Sequence, residues 1–309
     1  MDIVKEDSKQ GFGYHYTSLD TLLKISDSIH DRKFTMHASG ISFLNDSLEL
    51  EYGYPKIMEY LPNIEKFLGI NDSNYKLSKL WEKDKSFSYD EWCEIHIKEM
   101  KESCFFPCVI SLSRNRDSLP LWVMYGKQGT GAALVLDTRI YMIDKGIKDG
   151  IHHIDLNHTD FSELHSIDVV YDAVSNDCNA IWIAKYEYSQ YWESVQHLTD
   201  KEAIAKKQLE TLTRMMILAA PFVKHGAYQH EKESRIISIP SIHDIKFKEG
   251  LNNIQHPYIE LDLPITYLKE IVVGPCADYE SVRQSLTIKM LQKGIENVKI
   301  SKSDIPYRN

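Results

Sequence analysis

Apolar positions recur at two spacings along this chain, and the spacing changes from segment to segment. Tyr14-His15-Tyr16-Thr17-Ser18 reads as a short strand. It runs into Leu19, Leu22 and Leu23, which recur at helical spacing. Thr17 or Ser18 can cap that helix, and Asp20 completes a capping-box pattern. Residues 34–42 read as extended, and Asn45 is placed to cap a helix through Leu48, Glu51 and Tyr52. Residues from about 54 to 100 carry mostly helical patterning, rich in Lys, Glu and aromatics. A strand is predicted over 108–113. A short helix follows from Asp117 or Ser118, with Pro120 in its first turn, then a Gly129-Thr130-Gly131 turn and a strand over 132–136. Further strands are predicted over 167–171, 235–239 and 258–263. Helices are predicted over 179–193 and 201–220, the second capped at Thr199 with Glu202 three residues later. The tail reads as strand (268–273), Gly-Pro turn, helix (279–293) and strand (298–300). Strands interleaved with helices, without regular βαβ alternation, predict a single α+β domain over 1–309 with a mainly helical insertion at about 54–100.

Composition narrows the class. The chain has 309 residues, 43% hydrophobic and 26% charged, ordinary for a globular protein with a sizeable core. A formal charge of −9 argues against a broadly basic nucleic-acid surface, but leaves room for a local basic groove including Lys224, Lys232 and Arg235. No apolar run approaches the ~20 residues that span a bilayer, so no membrane partner is expected. Met1-Asp2-Ile3-Val4-Lys5-Glu6-Asp7 lacks the apolar core of a signal peptide, and a cytoplasmic location is the expectation. Five scattered cysteines do not make a disulfide framework. Cys93, His96, Cys104 and Cys108 are close enough to raise zinc, but their spacing matches no paired ligand motif, so no metal is assigned.

Candidate chemistry gathers in four places. His15 and the hydroxyls beside it sit where a strand meets a helix N-terminus, a geometry that suits an anion and equally suits a capped helix with an incidental histidine. Ser111-Leu112-Ser113-Arg114-Asn115-Arg116 followed by Trp122 and Tyr125 offers guanidinium groups for phosphates and aromatics for a planar ring, or ordinary core packing. In His230-Glu231-Lys232-Glu233-Ser234-Arg235, Glu233 and Arg235 share one strand face, while the run also reads as a solvated charged edge. Gly126-Lys127-Gln128-Gly129-Thr130-Gly131 lacks the spacing of a phosphate-binding loop and reads as a helix stop and turn. His152, His153, His158 and His165 lie in an acidic stretch that reads as loop. No Gly-x-Ser-x-Gly or His-Glu-x-x-His motif is present.

Taken in order, the motifs resemble a bacterial family labelled as a domain of unknown function. They are Tyr14-His15-Tyr16-Thr17-Ser18, Leu44-Asn45-Asp46 with Glu49, Ser111-Leu112-Ser113, Leu121-Trp122 with Tyr125-Gly126, and Lys224-His225. Glu231-Lys232-Glu233 with Arg235, Leu263-Pro264, Ile271-Val272-Val273-Gly274-Pro275, Asn297-Val298-Lys299-Ile300 and Ile305-Pro306-Tyr307-Arg308 complete the set. Ser234 departs from that pattern, which usually has tryptophan there. The family in turn is similar to a remote branch of the ADP-ribosyltransferases. That resemblance implies a mixed or antiparallel sheet core of ADP-ribosyltransferase type, with surrounding helices and NAD as substrate. It implies that His15 contacts the adenosine ribose, that the Tyr16 backbone and the Thr17 hydroxyl hold the nicotinamide amide, that Ser18 also belongs to the cofactor site, and that Tyr125 or Trp122 stacks on the ring. Arg114 and Arg116 would take the pyrophosphate. Glu233 would be the catalytic carboxylate, with Glu231 in reserve. The expected activity is an NAD-dependent ADP-ribosyltransferase, a toxin of bacterial phage defence or of a toxin–antitoxin pair, with RNA, DNA or protein as acceptor and an antitoxin protein as partner. An NAD glycohydrolase and a non-catalytic nucleotide- or phage-sensing module are the alternatives.

Overall fold

The computed structural model describes residues 10–44, 49–84, 107–139, 147–148, 151–152, 166–240, 242–249 and 255–307. The chain begins with β1 (Gln10–Thr17), α1 (Leu19–Asp27) and β2 (Lys33–Gly40), followed by α2 (Glu49–Glu59), α3 (Leu61–Phe67) and α4 (Leu77–Asp84). Next come β3 (Cys108–Ser113), α5 (Leu119–Met124), β4 (Ala132–Arg139) and a two-residue hairpin of β5 (Ile147–Lys148) and β6 (Ile151–His152). Two short strands follow, β7 (Ile167–Asp168) and β8 (Val170–Tyr171), then α6 (Asn179–Val195), α7 (Lys201–Leu218), β9 (Val223–Lys224) and β10 (Glu233–Ser238). The last elements are β11 (Lys246–Glu249), β12 (Gln255–Pro264), β13 (Leu268–Val273), α8 (Tyr279–Gln292) and β14 (Lys299–Lys302).

The fold is mixed α+β around one large, mostly antiparallel sheet in the order β11-β12-β2-β3-β1-β4-β13-β14, with β10 also paired to β3 and β7 to β10. Only β13 and β14 run parallel within it. One sheet face, carrying Phe34, Met36, Ile110, Leu112, Leu134 and Ile271, packs with Leu22 and Ile25 of α1 and Leu286 and Met290 of α8. A second core joins α2, α3, α4, α6 and α7 through residues such as Ile57, Ile64, Tyr188 and Met216. The third is small. It sets Tyr16 of β1 against Leu121 and Trp122 of α5, above Ala133, Val135 and Val272.

Local signals account for most boundaries. Ser18 caps α1, its hydroxyl accepting from Thr21 N–H at 3.1 Å. The capping residue of α7 is Asp200, which accepts from Glu202 N–H at 3.0 Å, rather than Thr199. The strand expected over 167–171 is broken at Val169 into β7, which pairs with β10, and β8, which pairs in parallel with β9. The helical stretch expected over 54–100 is described as far as Asp84. Asn45, Asp46, His96, Cys93 and Cys104 fall outside the described residues. Cys108, the remaining member of the zinc candidate, is fully buried in β3. Among the described residues no cluster of metal-ligating side chains occurs, and no helix is long and apolar enough to cross a membrane.

Candidate functional site

The sheet splits at β3. Strand β10 pairs with β3 along all six residues, from Glu233↔Ser113 to Ser238↔Cys108. The opposite edge of β3 is shared by two strands: β2 reaches only Cys108 and Val109, and β1 reaches only Ser113 through Tyr14. Ser111, between them, has no strand partner on that edge among the described residues. Its carbonyl oxygen instead meets His15 Nδ1 at 3.1 Å. A cavity of about 290 Å³ opens at this split. It is lined by Tyr14, His15 and Tyr16 from β1, His37 and Ser39 from β2, and Val109 to Ser113 from β3. Tyr125, Lys224, Tyr228, Glu231 and Glu233 close one end of it, and Phe43 and Leu44 the other.

The charged end of the cavity is an ion network rather than the solvated edge that the sequence suggests. Glu231 and Glu233 are each about 5% exposed or less, and Arg235 is 1% exposed. Lys224 Nζ lies 2.8 Å from Glu231 Oε2 and 3.1 Å from Glu233 Oε2. Arg235 grips Glu233 through Nε at 2.8 Å and Nη2 at 3.0 Å, and also donates to the Pro221 carbonyl. Tyr125 donates its phenol to Glu231 Oε1 at 2.6 Å. Two cations face two carboxylates, as buried charges require. The chain reaches this arrangement through Lys232, whose left-handed backbone (φ 42°) separates the 3-10 turn ending at Glu231 from the strand beginning at Glu233. Ser113 Oγ donates to the Glu231 carbonyl at 2.5 Å, and Arg114 N–H donates to the Lys232 carbonyl at 2.8 Å. The local basic groove is accordingly absent: Lys224 and Arg235 are buried and spent on carboxylates, and only Lys232 is exposed.

Protonation follows from these contacts. Burial alone would raise the Glu233 carboxyl, but Arg235 and Lys224 outweigh it and hold the group down to about 2. Burial would lower Lys224, and the two carboxylates reverse the sign and raise it. Burial raises the Tyr125 phenol, and the bond to Glu231 raises it further. Burial also raises Tyr171, whose hydroxyl accepts from Glu233 N–H at 2.7 Å, to about 12. Burial lowers the His15 imidazole below its usual 6.5, against the pull of the Ser111 carbonyl and with the help of Lys248. At neutral pH Glu233 is therefore ionised, Lys224 is protonated, and His15 is neutral.

Of the residues singled out from sequence, His15, Tyr16, Tyr125, Glu231 and Glu233 line this one cavity. Five others do not. Trp122 is 0% exposed, donates Nε1 to Asp117 Oδ1 at 2.6 Å, and meets Tyr16 edge-on at 4.8 Å, so it cannot stack on a ligand. Thr17 is buried beside Gly131, and Ser18 is taken up in capping α1. Arg114 is held by Asp168, Phe12 O, Thr138 and Ser166. Arg116 is held by Glu270 and Ser301. Both guanidinium groups thus brace the sheet instead of facing the cavity, because each has a carboxylate within 2.8 Å. His37, Ser39 and Tyr228 line the cavity without a sequence signal that marks them for chemistry. The alternation of β2 does place His37 and Ser39 opposite its buried positions Phe34, Met36 and Ala38.

Comparison with known proteins adds one match. No curated protein and no solved structure matches the chain. A family sequence model described as a protein of unknown function (DUF2971) matches residues 121–236, a span that holds Tyr125, Lys224, Glu231, Glu233 and Arg235, and so the chain is similar to that family across the carboxylate end of the cavity.

Proposed function

We propose that the cavity binds NAD and that the protein is an ADP-ribosyltransferase. The observation that carries this reading is the convergence, at one split in the sheet, of His15, Tyr125 and an ionised Glu233 from segments more than 100 residues apart. Such a split sheet, with a histidine on one strand and a carboxylate at the start of another, supports a core of ADP-ribosyltransferase type. Cleavage of the bond between ribose C1′ and the nicotinamide nitrogen sends the bonding pair to the nitrogen, which leaves neutral, and builds positive charge on the ribose. A carboxylate held ionised in a dry site stabilises that charge as it develops. Glu233 is suited to this electrostatic role and not to proton transfer, since its carboxyl is held near 2. The acceptor then bonds to C1′ and loses its proton to solvent water. The Tyr125 ring, fixed by its phenol on Glu231, offers a planar face for nicotinamide.

Incubation with adenylate-labelled NAD and a cell extract, with free nicotinamide measured in parallel, tests this. Label on protein, RNA or DNA, with both signals lost in Glu233→Gln, supports the transferase. Nicotinamide release without label identifies an NAD glycohydrolase. No release from wild type overturns both.

One observation favours a second reading, a non-catalytic nucleotide-sensing module. Both Glu233 oxygens already accept from Arg235 or Lys224, which leaves the carboxylate committed before any ligand arrives. NAD binding without nicotinamide release would select this reading. A phage-defence or toxin–antitoxin role, an antitoxin partner and a cytoplasmic location belong to the same proposal. A toxic phenotype on expression, lost in Glu233→Gln, tests the toxin role.

A further inference from the structure

The cavity has a second, chemically different end. Along β3, Val109 and Ser113 lie about 13 Å apart at strand spacing, too far for one ring or one phosphate to touch both. The Ser113 end holds the neutralised ion network. The Val109 end abuts β2, where Ser39 and His37 line the cavity. From there a ledge continues outward, since Ser39 pairs with Tyr258 and Tyr258 with Lys246, while Lys248 pairs with His256. Paired residues project from the same sheet face.

On that ledge Lys248 donates from Nζ to Ser39 Oγ at 3.3 Å and lies 5.3 Å from the centre of the Tyr258 ring. No carboxylate is paired with it among the described residues. The neighbouring charges are already matched: Glu260 sits 2.7 Å from Lys246 and 3.9 Å from His37. Lys248 is half-buried, and burial lowers its affinity for a proton. Its charge also depresses His15 and His37, so its field reaches the cavity. The His37 and Tyr258 rings lie 4.3 Å apart and tilted by 31°, a paired aromatic surface beside the ammonium.

An ammonium with no carboxylate partner among the described residues, a serine hydroxyl and an aromatic pair at the rim of a cavity match the parts of a nucleotide. We propose that this ledge is a nucleoside diphosphate subsite. The Lys248 ammonium and the Ser39 hydroxyl take the phosphate oxygens, and the His37–Tyr258 surface takes the base. The inference deepens the NAD reading and rests on it only for the ligand's other half: the adenosine diphosphate portion lies on the ledge and the nicotinamide riboside portion reaches Glu233. It also supplies the phosphate contacts that Arg114 and Arg116 do not.

Calorimetric titration of the full chain with ADP and with inorganic pyrophosphate tests it. Wild type is expected to bind both. Lys248→Met should weaken both at least tenfold, Lys248→Arg should stay within about threefold of wild type, and Tyr258→Leu should weaken ADP more than pyrophosphate. Lys248→Met and Lys248→Arg should melt with wild type, because the ammonium makes no ion pair there among the described residues. Equal ADP affinity in wild type and Lys248→Met, or no ADP binding by wild type at millimolar concentration, overturns the subsite. Lys248-dependent ADP binding without nicotinamide release from NAD keeps the subsite and removes the transferase. Glu233-dependent release with Lys248-independent binding does the reverse.

Discussion

Replacing Glu233 by glutamine removes one of the two carboxylates that neutralise Lys224 and Arg235. The amide keeps the size of the side chain and one acceptor oxygen, which can still meet the Nε arm of the Arg235 fork. Its NH2 group then faces the Lys224 ammonium, now 3.1 Å from a carboxylate oxygen, so donor meets donor in a buried site. Holding the carboxyl near 2 instead of 4.5 corresponds to about 3 kcal/mol in favour of the ionised form, and removing one partner of a buried pair costs about 3–5 kcal/mol. A loss of about 3–4 kcal/mol is therefore expected, or a fall in melting temperature of roughly 6–12 °C for a chain of this size. The pH dependence has a definite sign. The folded value lies below the unfolded one, so this stabilisation is complete above about 4.5 and fades as pH falls toward 2. The gap between wild type and Glu233→Gln should stay constant from pH 8 to 5 and close only below about pH 4. Thermal melting across that pH range, with nicotinamide release measured well below both melting points, separates folding from chemistry. If the variant melts within 2 °C of wild type at pH 7, the buried network does not hold the site as described. Given turnover, release should fall by roughly 10²–10³, the loss typical when one preorganised electrostatic group is removed.

Three other substitutions test particular contacts. Tyr125→Phe deletes the donor to Glu231 but keeps the ring; it should cost about 1.5–3 kcal/mol by thermal melting while nicotinamide affinity stays within about threefold, and a complete loss of binding would refute a stacking role for the ring. Ser234 is fully buried, and its hydroxyl has no partner among the described residues, so Ser234→Ala should leave stability unchanged or raise it by about 1–2 kcal/mol; a measured loss above 1 kcal/mol would show that the hydroxyl is satisfied in solution. Gly131→Ala would drive a Cβ into the Thr17 carbonyl with the Gly126 carbonyl close behind; backbone on both sides cannot rotate away, so a loss of about 2–3 kcal/mol in melting experiments is expected.

Much of the fold was legible because its elements carry local signals. The strand over 108–113, the Pro120 helix and the Gly-Pro turn before α8 all reflect residues whose backbone preferences act within one turn. Strand β1 extends back to Gln10, and β11 forms from Lys246-Phe247-Lys248-Glu249; neither has an apolar face that marks it, and each is held by its neighbour strand. The site was legible in its residue types and not in its partners. Glu231-Lys232-Glu233 looks like a solvated edge because exposed charge runs are common. Its burial depends on Lys224 and Tyr125 arriving from two other elements to join Arg235 of the same strand. Arg114 and Arg116 look like phosphate ligands until Asp168 and Glu270, 54 and 154 residues downstream, are brought beside them.

The order of charge along the cavity bears on which way a ligand lies. At the Ser113 end Lys224 and Arg235 are cancelled by Glu231 and Glu233, and the remaining groups there are phenols and a neutral imidazole. That end has no net charge to hold a phosphate, while the face of the Tyr125 ring favours a cationic ring. At the Val109 end the reverse holds, because Lys248 stands without a carboxylate partner among the described residues. A ligand that is cationic at one end and anionic in its middle is therefore favoured in one orientation, with its positive ring toward Tyr125 and Glu233. NAD has that charge order. A plain nucleoside triphosphate does not, and it would place its phosphates at Lys248 with nothing to fill the carboxylate end. Binding of NAD should accordingly be tighter than that of the reduced dinucleotide, whose nicotinamide ring is neutral, and the preference should shrink in Glu233→Gln. Equal affinity for the two forms in wild type would show that the carboxylate end does not meet the ring.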